Sequence, residues 1–182
     1  MHALNRFLAV GALLAAALLG RPRAVHAQGG QHVLFLGSEL GVGVGRYNGI
    51  GLLTGPDIRY QLPLGRQFAL TARTGLDVFF VKGRYSEYYR YYYGPTTGLS
   101  IPVTVGPRFY IVEGLHTSLN LGVDIGVNRL TTTSFHFEPG VGYALPVGKG
   151  NYVDLGTSFG TSFSQGSGVF LFTFAYGLNL NR

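Results

Sequence analysis

At 182 residues the chain has room for one domain, and its charged fraction of 12% is about half the roughly 25% of an ordinary soluble globule. Two lysines, Lys82 and Lys149, cannot cover the water-facing side of a soluble β-protein, so another medium is expected to cover it. Setting aside Arg6, Arg21 and Arg23 of the leader turns the net charge of +6 into eleven basic against eight acidic residues, which leaves no basic stripe for nucleic acid, and the lack of cysteine excludes disulfides, thiol nucleophiles and thiolate metal sites.

Residues 1–27 read as a cleaved secretory signal, with Arg6, an apolar stretch from Phe7 to Leu19 and a small-x-small site at Val25-His26-Ala27. Residues 28–182 then form the mature domain. No later apolar run reaches the roughly 18 residues of a transmembrane helix, so a membrane form would have to be a closed barrel.

From about Val33 to Leu180 apolar residues alternate with a period of two, in eight segments about as long as a tilted membrane strand. The first sets Leu36, Leu40, Val42 and Val44 against Gly37, Glu39, Gly41 and Gly43. The second sets Ile58, Tyr60 and Leu62 against Asp57, Arg59 and Gln61, and the third sets Leu70, Leu76 and Phe80 against Arg73, Gly75 and Asp77. In the fourth, Leu99, Val103 and Val105 oppose Ser100, Thr104 and Arg108; in the fifth, Leu121, Val123 and Ile125 oppose Asn120, Gly122 and Asp124. The sixth opposes Phe135, Phe137 and Val141 to His136, Glu138 and Gly140. The seventh opposes Leu155, Phe159 and Phe163 to Asp154, Gly156 and Ser158, and the eighth runs from Phe170 to Leu180, its alternation blurred by Val169 and Leu171. Short connections at 63–65, 112–114 and 148–150 are expected as periplasmic turns, and the long Val81–Thr97 segment as an extracellular loop.

Six of the eight acids (Glu39, Asp57, Asp77, Asp124, Glu138 and Asp154) lie on the glycine-rich faces. Such a face suits the crowded lumen of an eight-stranded barrel better than bulk water, because interior glycine weakens a strand. The expected fold is therefore all-β, an eight-stranded antiparallel up-and-down transmembrane β-barrel with oily residues outside. Phe80, Phe109, Tyr110, Tyr143, Tyr152, Phe163, Phe170 and Tyr176 are expected in its interfacial girdles. Pro56, Pro107 and Pro139 fall within strands, where bulges or strand ends are expected.

The export signal, the eight alternating segments, the related lead-ins Pro56-Asp-Ile-Arg-Tyr-Gln-Leu-Pro-Leu-Gly65 and Pro139-Gly-Val-Gly-Tyr-Ala-Leu-Pro-Val-Gly148, and the final Phe-Ala-Tyr-Gly-Leu-Asn-Leu give residues 30–182 a resemblance. The chain resembles small outer-membrane barrels of the OmpA/OmpX kind and generic outer-membrane β-barrel domain proteins, including PorT-like members. The resemblance is architectural. It implies the cell outer membrane as location, outer-membrane lipid, lipopolysaccharide and the barrel-assembly machinery as partners, and no cofactor. The sequence departs from the pattern in ending Leu180-Asn181-Arg182 rather than in an aromatic residue.

Three clusters could carry function. Arg59, Arg73, Arg108 and His136 share the face of the six acids, either as an internal network filling the lumen or as a switchable ion path for a narrow pore. Ser134, His136 and Glu138 could supply nucleophile, base and orienter of a lipid A-modifying barrel, but the deacylase order is His-x-Ser, and side chains two apart on a strand stand roughly 7 Å apart, too far for direct hydrogen bonds. The segment with Tyr85, Tyr88, Tyr89, Arg90, Tyr91, Tyr92 and Tyr93 could extend the aromatic girdle, fold over the barrel mouth, or grip an extracellular glycan, lipopolysaccharide or protein. His32 and His116 have no partners at metal-ligand spacing. The leading reading is a non-enzymatic, structural or surface-binding barrel; the rivals are a narrow pore, a lipid A-modifying enzyme and a soluble barrel holding an apolar ligand.

Overall fold

The computed structural model describes residues 30–45, 49–148, 150–162 and 167–181, so the leader and Phe163 lie outside the described residues. The described strands are β1 (Val33–Val44), β2 (Ile50–Pro63), β3 (Phe68–Gly75), β4 (Asp77–Val81), β5 (Thr97–Tyr110), β6 (Leu115–Gly126), β7 (Ser134–Pro146), β8 (Tyr152–Ser162) and β9 (Ser167–Asn179). A helix, α1 (Gly83–Tyr93), sits between β4 and β5. Strands β3 and β4 are one stave interrupted at Leu76, since Gly75 opposite Asp57 and Val78 opposite Thr54 share one register against β2, which shifts only between Leu52 and Ile50. Eight antiparallel staves result. Pairing of β1 with β9, from Val33 opposite Asn179 to Val44 opposite Gly168, closes them into a barrel and removes the free edges.

Alternation fixes the faces. Val33, Phe35, Glu39 and Gly41 of β1 point inward, while Leu36, Leu40 and Val42 point outward. The same parity carries round every stave, because a one-residue slip would turn each charged side chain into the outer surface. Val169 and Leu171, which blurred the last segment, point inward and pack with Leu53. A second inward apolar group, Val33, Phe35, Ala144, Tyr152 and Ala175, fills the opposite end. The lumen is thus layered, with oily side chains at both ends and charges between.

The two ends of the barrel differ. At one, β2–β3, β5–β6 and β7–β8 are joined by short turns, with Ile111 N–H bonded to the Leu115 carbonyl at 2.9 Å and positive φ at Gly114 and Gly148. At the other end lie the two longer connections, β4–β5 and β6–β7. There the segment expected as a loop contains the eleven-residue α1, whose tyrosines recur three and four apart and which stops at Gly94 (φ 83°), just before Pro95.

Two sequence expectations need correction. Pro56, Pro107 and Pro139 lie inside β2, β5 and β7 with no bulge and no strand end: Ser38 pairs with Pro56, Leu70 with Pro107 and Leu119 with Pro139 in unbroken registers. Each proline faces outward and gives up one ladder donor, while its carbonyl remains usable; that of Pro56 still accepts from Leu76 N–H at 3.1 Å. Tyr110 and Tyr152 are not girdle residues. They share parity with Arg108 and Asp154, and they point into the lumen, where Tyr110 donates to Gln61 at 2.8 Å and Tyr152 to Gln31 at 2.6 Å.

The glycine face lets strands and side chains crowd the interior. At Gly106 an added β-carbon would stand 1.7 Å from the Leu119 carbonyl oxygen, backbone that cannot step aside, whereas at Gly65 it would meet nothing within 4 Å. Gly106→Val is expected to destabilise the barrel by about 1–3 kcal/mol or more through overpacking, with Gly65→Ala close to neutral. Urea unfolding in detergent micelles checks the contrast; equal midpoints for the two variants would refute it.

Candidate functional site: a charged lumen and a tyrosine helix

Between the two apolar layers, side chains from seven staves, β1 to β8, meet. Arg73 on β3 is the hub: its Nε donates to Asp57 on β2 at 2.7 Å, Nη1 donates to Glu138 on β7 and Nη2 to Glu39 on β1. Asp77 lies 3.9 Å from the same Nη2. One guanidinium therefore ties three neighbouring staves to the far wall. Its planar fork suits this, because each N–H can take a different carboxylate.

The network continues in both directions. Glu138 meets His136 Nε2 at 2.9 Å, and His136 Nδ1 meets Asp124 on β6 at 2.8 Å. Toward the turn end, Asp57 accepts from Arg59 at 2.7 Å, Arg59 lies 3.5 Å from Asp154, and Asp154 is held by Arg108 at 3.3 Å and by His116 Nε2 at 2.7 Å. The Arg108 guanidinium also rests 5.1 Å over the Phe35 ring, which gives a desolvated cation a second favourable neighbour.

The ten residues Glu39, Asp57, Arg59, Arg73, Asp77, Arg108, Asp124, His136, Glu138 and Asp154 share one interior and form one connected set of ion pairs. Asp124 is the least enclosed of them, 17% exposed at its side chain. Gln61 and Asn120, placed on the polar face by alternation, lie on the same inner face, and so does His116, which sequence reasoning left out. Their signal was parity, since each stands an even number of residues from a charged lumen residue of its own strand.

The spacing argument against direct contacts two residues apart fails here. Glu138 reaches His136, and Arg59 reaches Asp57, because long side chains lean toward each other across the separation of their α-carbons. The supposed catalytic trio is nevertheless not assembled as one. Both ring nitrogens of His136 face carboxylates, so none is turned to the Ser134 hydroxyl to take its proton.

Helix α1 gathers the second cluster. Tyr88 stacks near Tyr92 at 4.6 Å between centroids and Tyr89 near Tyr93 at 5.5 Å, as one-turn spacing requires. Tyr85 and Tyr89 are half-buried on the barrel side, and the Tyr89 hydroxyl sits over Gly49, where a β-carbon would stand 2.8 Å away. Burial, followed by the neighbouring tyrosines, raises the Tyr89 hydroxyl above its ordinary range and keeps it a neutral donor. Tyr88, Tyr91, Tyr92, Tyr93 and Arg90 are exposed, and the Arg84 guanidinium lies 4.8 Å over Tyr85. No candidate metal site of three or more His, Asp or Glu occurs among the described residues.

A closed eight-stranded antiparallel barrel with ion pairs inside and an apolar outer wall has the fold of the small outer-membrane barrels. Among solved structures the chain is similar to Ail, the attachment invasion locus protein of Yersinia pestis, with a TM-score of 0.56, 13% identity, and coverage of 83% of this chain and 99% of Ail. It is also similar to Ail crystallised with the heparin analogue sucrose octasulfate, with a TM-score of 0.54, 13% identity and the same coverage. No family model and no curated protein sequence matches the chain.

The hub carries the nearest quantitative consequence. Arg73→Met would leave Glu39, Asp57, Asp77 and Glu138 around a neutral side chain, and breaking a buried pair from one side costs about 3–5 kcal/mol. Glu87→Gln, on the exposed side of α1, is expected to change stability by no more than about 0.5 kcal/mol. Unfolding midpoints in micelles decide; a wild-type midpoint for Arg73→Met would mean that the carboxylates do not depend on it.

Proposed function

We propose that the chain is an integral outer-membrane β-barrel protein, exported by residues 1–27, inserted as residues 28–182 by the barrel-assembly machinery, and acting without catalysis through the surface of its loop end. The outer wall is the observation that carries this reading. Leu40, Ile58, Phe80, Val105, Val123, Val141, Leu155 and Phe174, one from each stave, are each 40–57% exposed, so the oily wall runs right round the barrel. A soluble monomer does not leave so continuous an oily surface to water, whereas lipid requires it. The same parity argues against a soluble barrel with an apolar ligand inside, since the interior carries the ions.

The lumen supports a closed barrel rather than a pore. Water entering at the turn end meets Val33, Phe35, Ala144, Tyr152 and Ala175, and beyond the ion pairs it meets Leu53, Val169 and Leu171. Cell fractionation is expected to find the protein in the outer membrane, with a mobility in gels that changes on boiling. Planar bilayers holding the folded protein are expected to stay silent. Recovery in the soluble fraction would defeat the membrane reading, and steady single-channel currents would favour the pore.

Exposed tyrosines beside Arg84 and Arg90 suit a polyanionic glycan, because aromatic rings cover sugar faces while guanidinium forks pair with sulfate or phosphate. A barrel of this fold, Ail of Yersinia pestis, has been crystallised with a heparin analogue, which makes heparin a reasonable first probe. The triple variant Tyr88→Ser, Tyr91→Ser, Tyr92→Ser is expected to fold normally and to weaken heparin retention by whole cells at least fivefold. Unchanged retention would remove α1 from any binding role.

A further inference from the structure

A cavity of about 80 Å³ lies at the loop end, directly above the ion-pair network. Its two sides differ in chemistry. One side is apolar, formed by Ile50, Leu53, Phe79, Val169 and Leu171; the other carries the carboxylates of Asp77 and Asp124 among hydroxyl groups such as Ser100. A water needs roughly 10–15 Å³ of such space, so there is room for a ligand of about six heavy atoms.

Both carboxylates have capacity to spare. Asp124 uses Oδ2 on His136, while its Oδ1 is buried without a hydrogen-bond partner among the described residues. The Asp77 side chain is 9% exposed and lies 3.9 Å from the Arg73 guanidinium, beyond hydrogen-bond reach. Charge points the same way. In this half of the lumen Glu39, Asp57, Asp77, Asp124 and Glu138 surround Arg73 and His136, with Arg59 shared from below. Lys82, the described lysine at this end, turns its Nζ to the Gly43 carbonyl at 3.2 Å. Five carboxyl groups face two cations and a share of a third, so the excess is met by protons, by water or by an added cation.

We propose that this cavity binds a small alkylammonium ion, with its ammonium on Asp77 and Asp124 and its alkyl part against Leu53, Phe79 and Leu171. A metal ion would waste the apolar side, and no three carboxylates or imidazoles here are arranged to hold one among the described residues. A neutral alkyl ligand would leave Asp124 Oδ1 unpaired. An ammonium supplies the donors that Asp124 and Asp77 lack, and its hydrocarbon chain has an oily wall to cover.

The test is titration of the isotopically labelled, folded full-length barrel in micelles with n-butylammonium chloride, followed by amide chemical shifts. Shifts are expected at Ser100, Gly160 and Leu171 and not at Gly142 or Ala144 near the turn end. Sodium chloride at equal ionic strength and n-butanol at equal concentration are expected to leave those amides in place. Asp124→Asn should weaken binding at least tenfold. Gly160→Ala gives a second handle that keeps the fold, because its added carbon would stand 3.4 Å from Leu171 and 3.5 Å from His136, in ordinary contact, while narrowing the space; binding should fall at least threefold. Absence of shifts in the wild type, equal shifts from sodium or butanol, or affinity unchanged in both variants would overturn the proposal.

Discussion

Everything in this structure is organised around one guanidinium that has been taken out of water. Arg73 reaches Asp57, Glu39 and Glu138 from β3, so a single side chain links β1, β2 and β3 to β7 across the lumen. Enclosing that charge is unfavourable on its own, as is enclosing each carboxylate, and the whole becomes tolerable only when every member finds its partners. The requirement is geometric as well as electrostatic. A shift of one residue in these staves would replace a carboxylate by an outward neighbour, such as Leu40 for Glu39 or Ile58 for Asp57, so the network and the strand registers specify each other.

Outside the barrel the same logic runs in reverse. Backbone groups are satisfied by closure of β1 on β9, which leaves the outer wall free to be oily without leaving any strand edge exposed. The three outward prolines fit this arrangement. Each gives up a single N–H, and the ladders beside Pro107 and Pro139 skip that position while their neighbours keep the register. Glycines on the inner face make the complementary contribution, allowing backbone oxygens such as that of Leu119 to approach where a β-carbon would collide.

Much of this was legible in the sequence, for a definite reason: a period of two, carried through eight segments, assigns a face to every residue with no tertiary information. That sufficed for the staves, the outer wall and the six inward acids. It also contained more than was drawn from it, because Tyr110, Tyr152 and His116 follow from the parity of Arg108, Asp154 and Asn120. What parity cannot supply is distance along and across the lumen. That His136 faces two carboxylates, or that Arg73 reaches the far wall, depends on shear and side-chain length rather than on pattern. Helix α1 was obscured differently: six tyrosines, no better than middling helix formers by propensity, read as part of a loop, although their spacing and Gly94-Pro95 marked a helix and its end.

The layering separates the part of the barrel that must stay fixed from the part that can vary. Toward the turn end Arg108, His116, Asp154 and Tyr110 are sealed behind Phe35 and Tyr152, so any change there must be answered by another buried residue. Toward the loop end the network gives way to Asp124, whose second oxygen has no partner, and to Asp77, held only at a distance. Among the described residues the polar set leaves atoms without a partner at both ends, Arg108 Nε and Nη1 and His116 Nδ1 toward the turns and Asp124 Oδ1 toward the loops. What differs is access, because Asp124 and Asp77 line a cavity whereas the turn-end groups lie behind Phe35 and Tyr152.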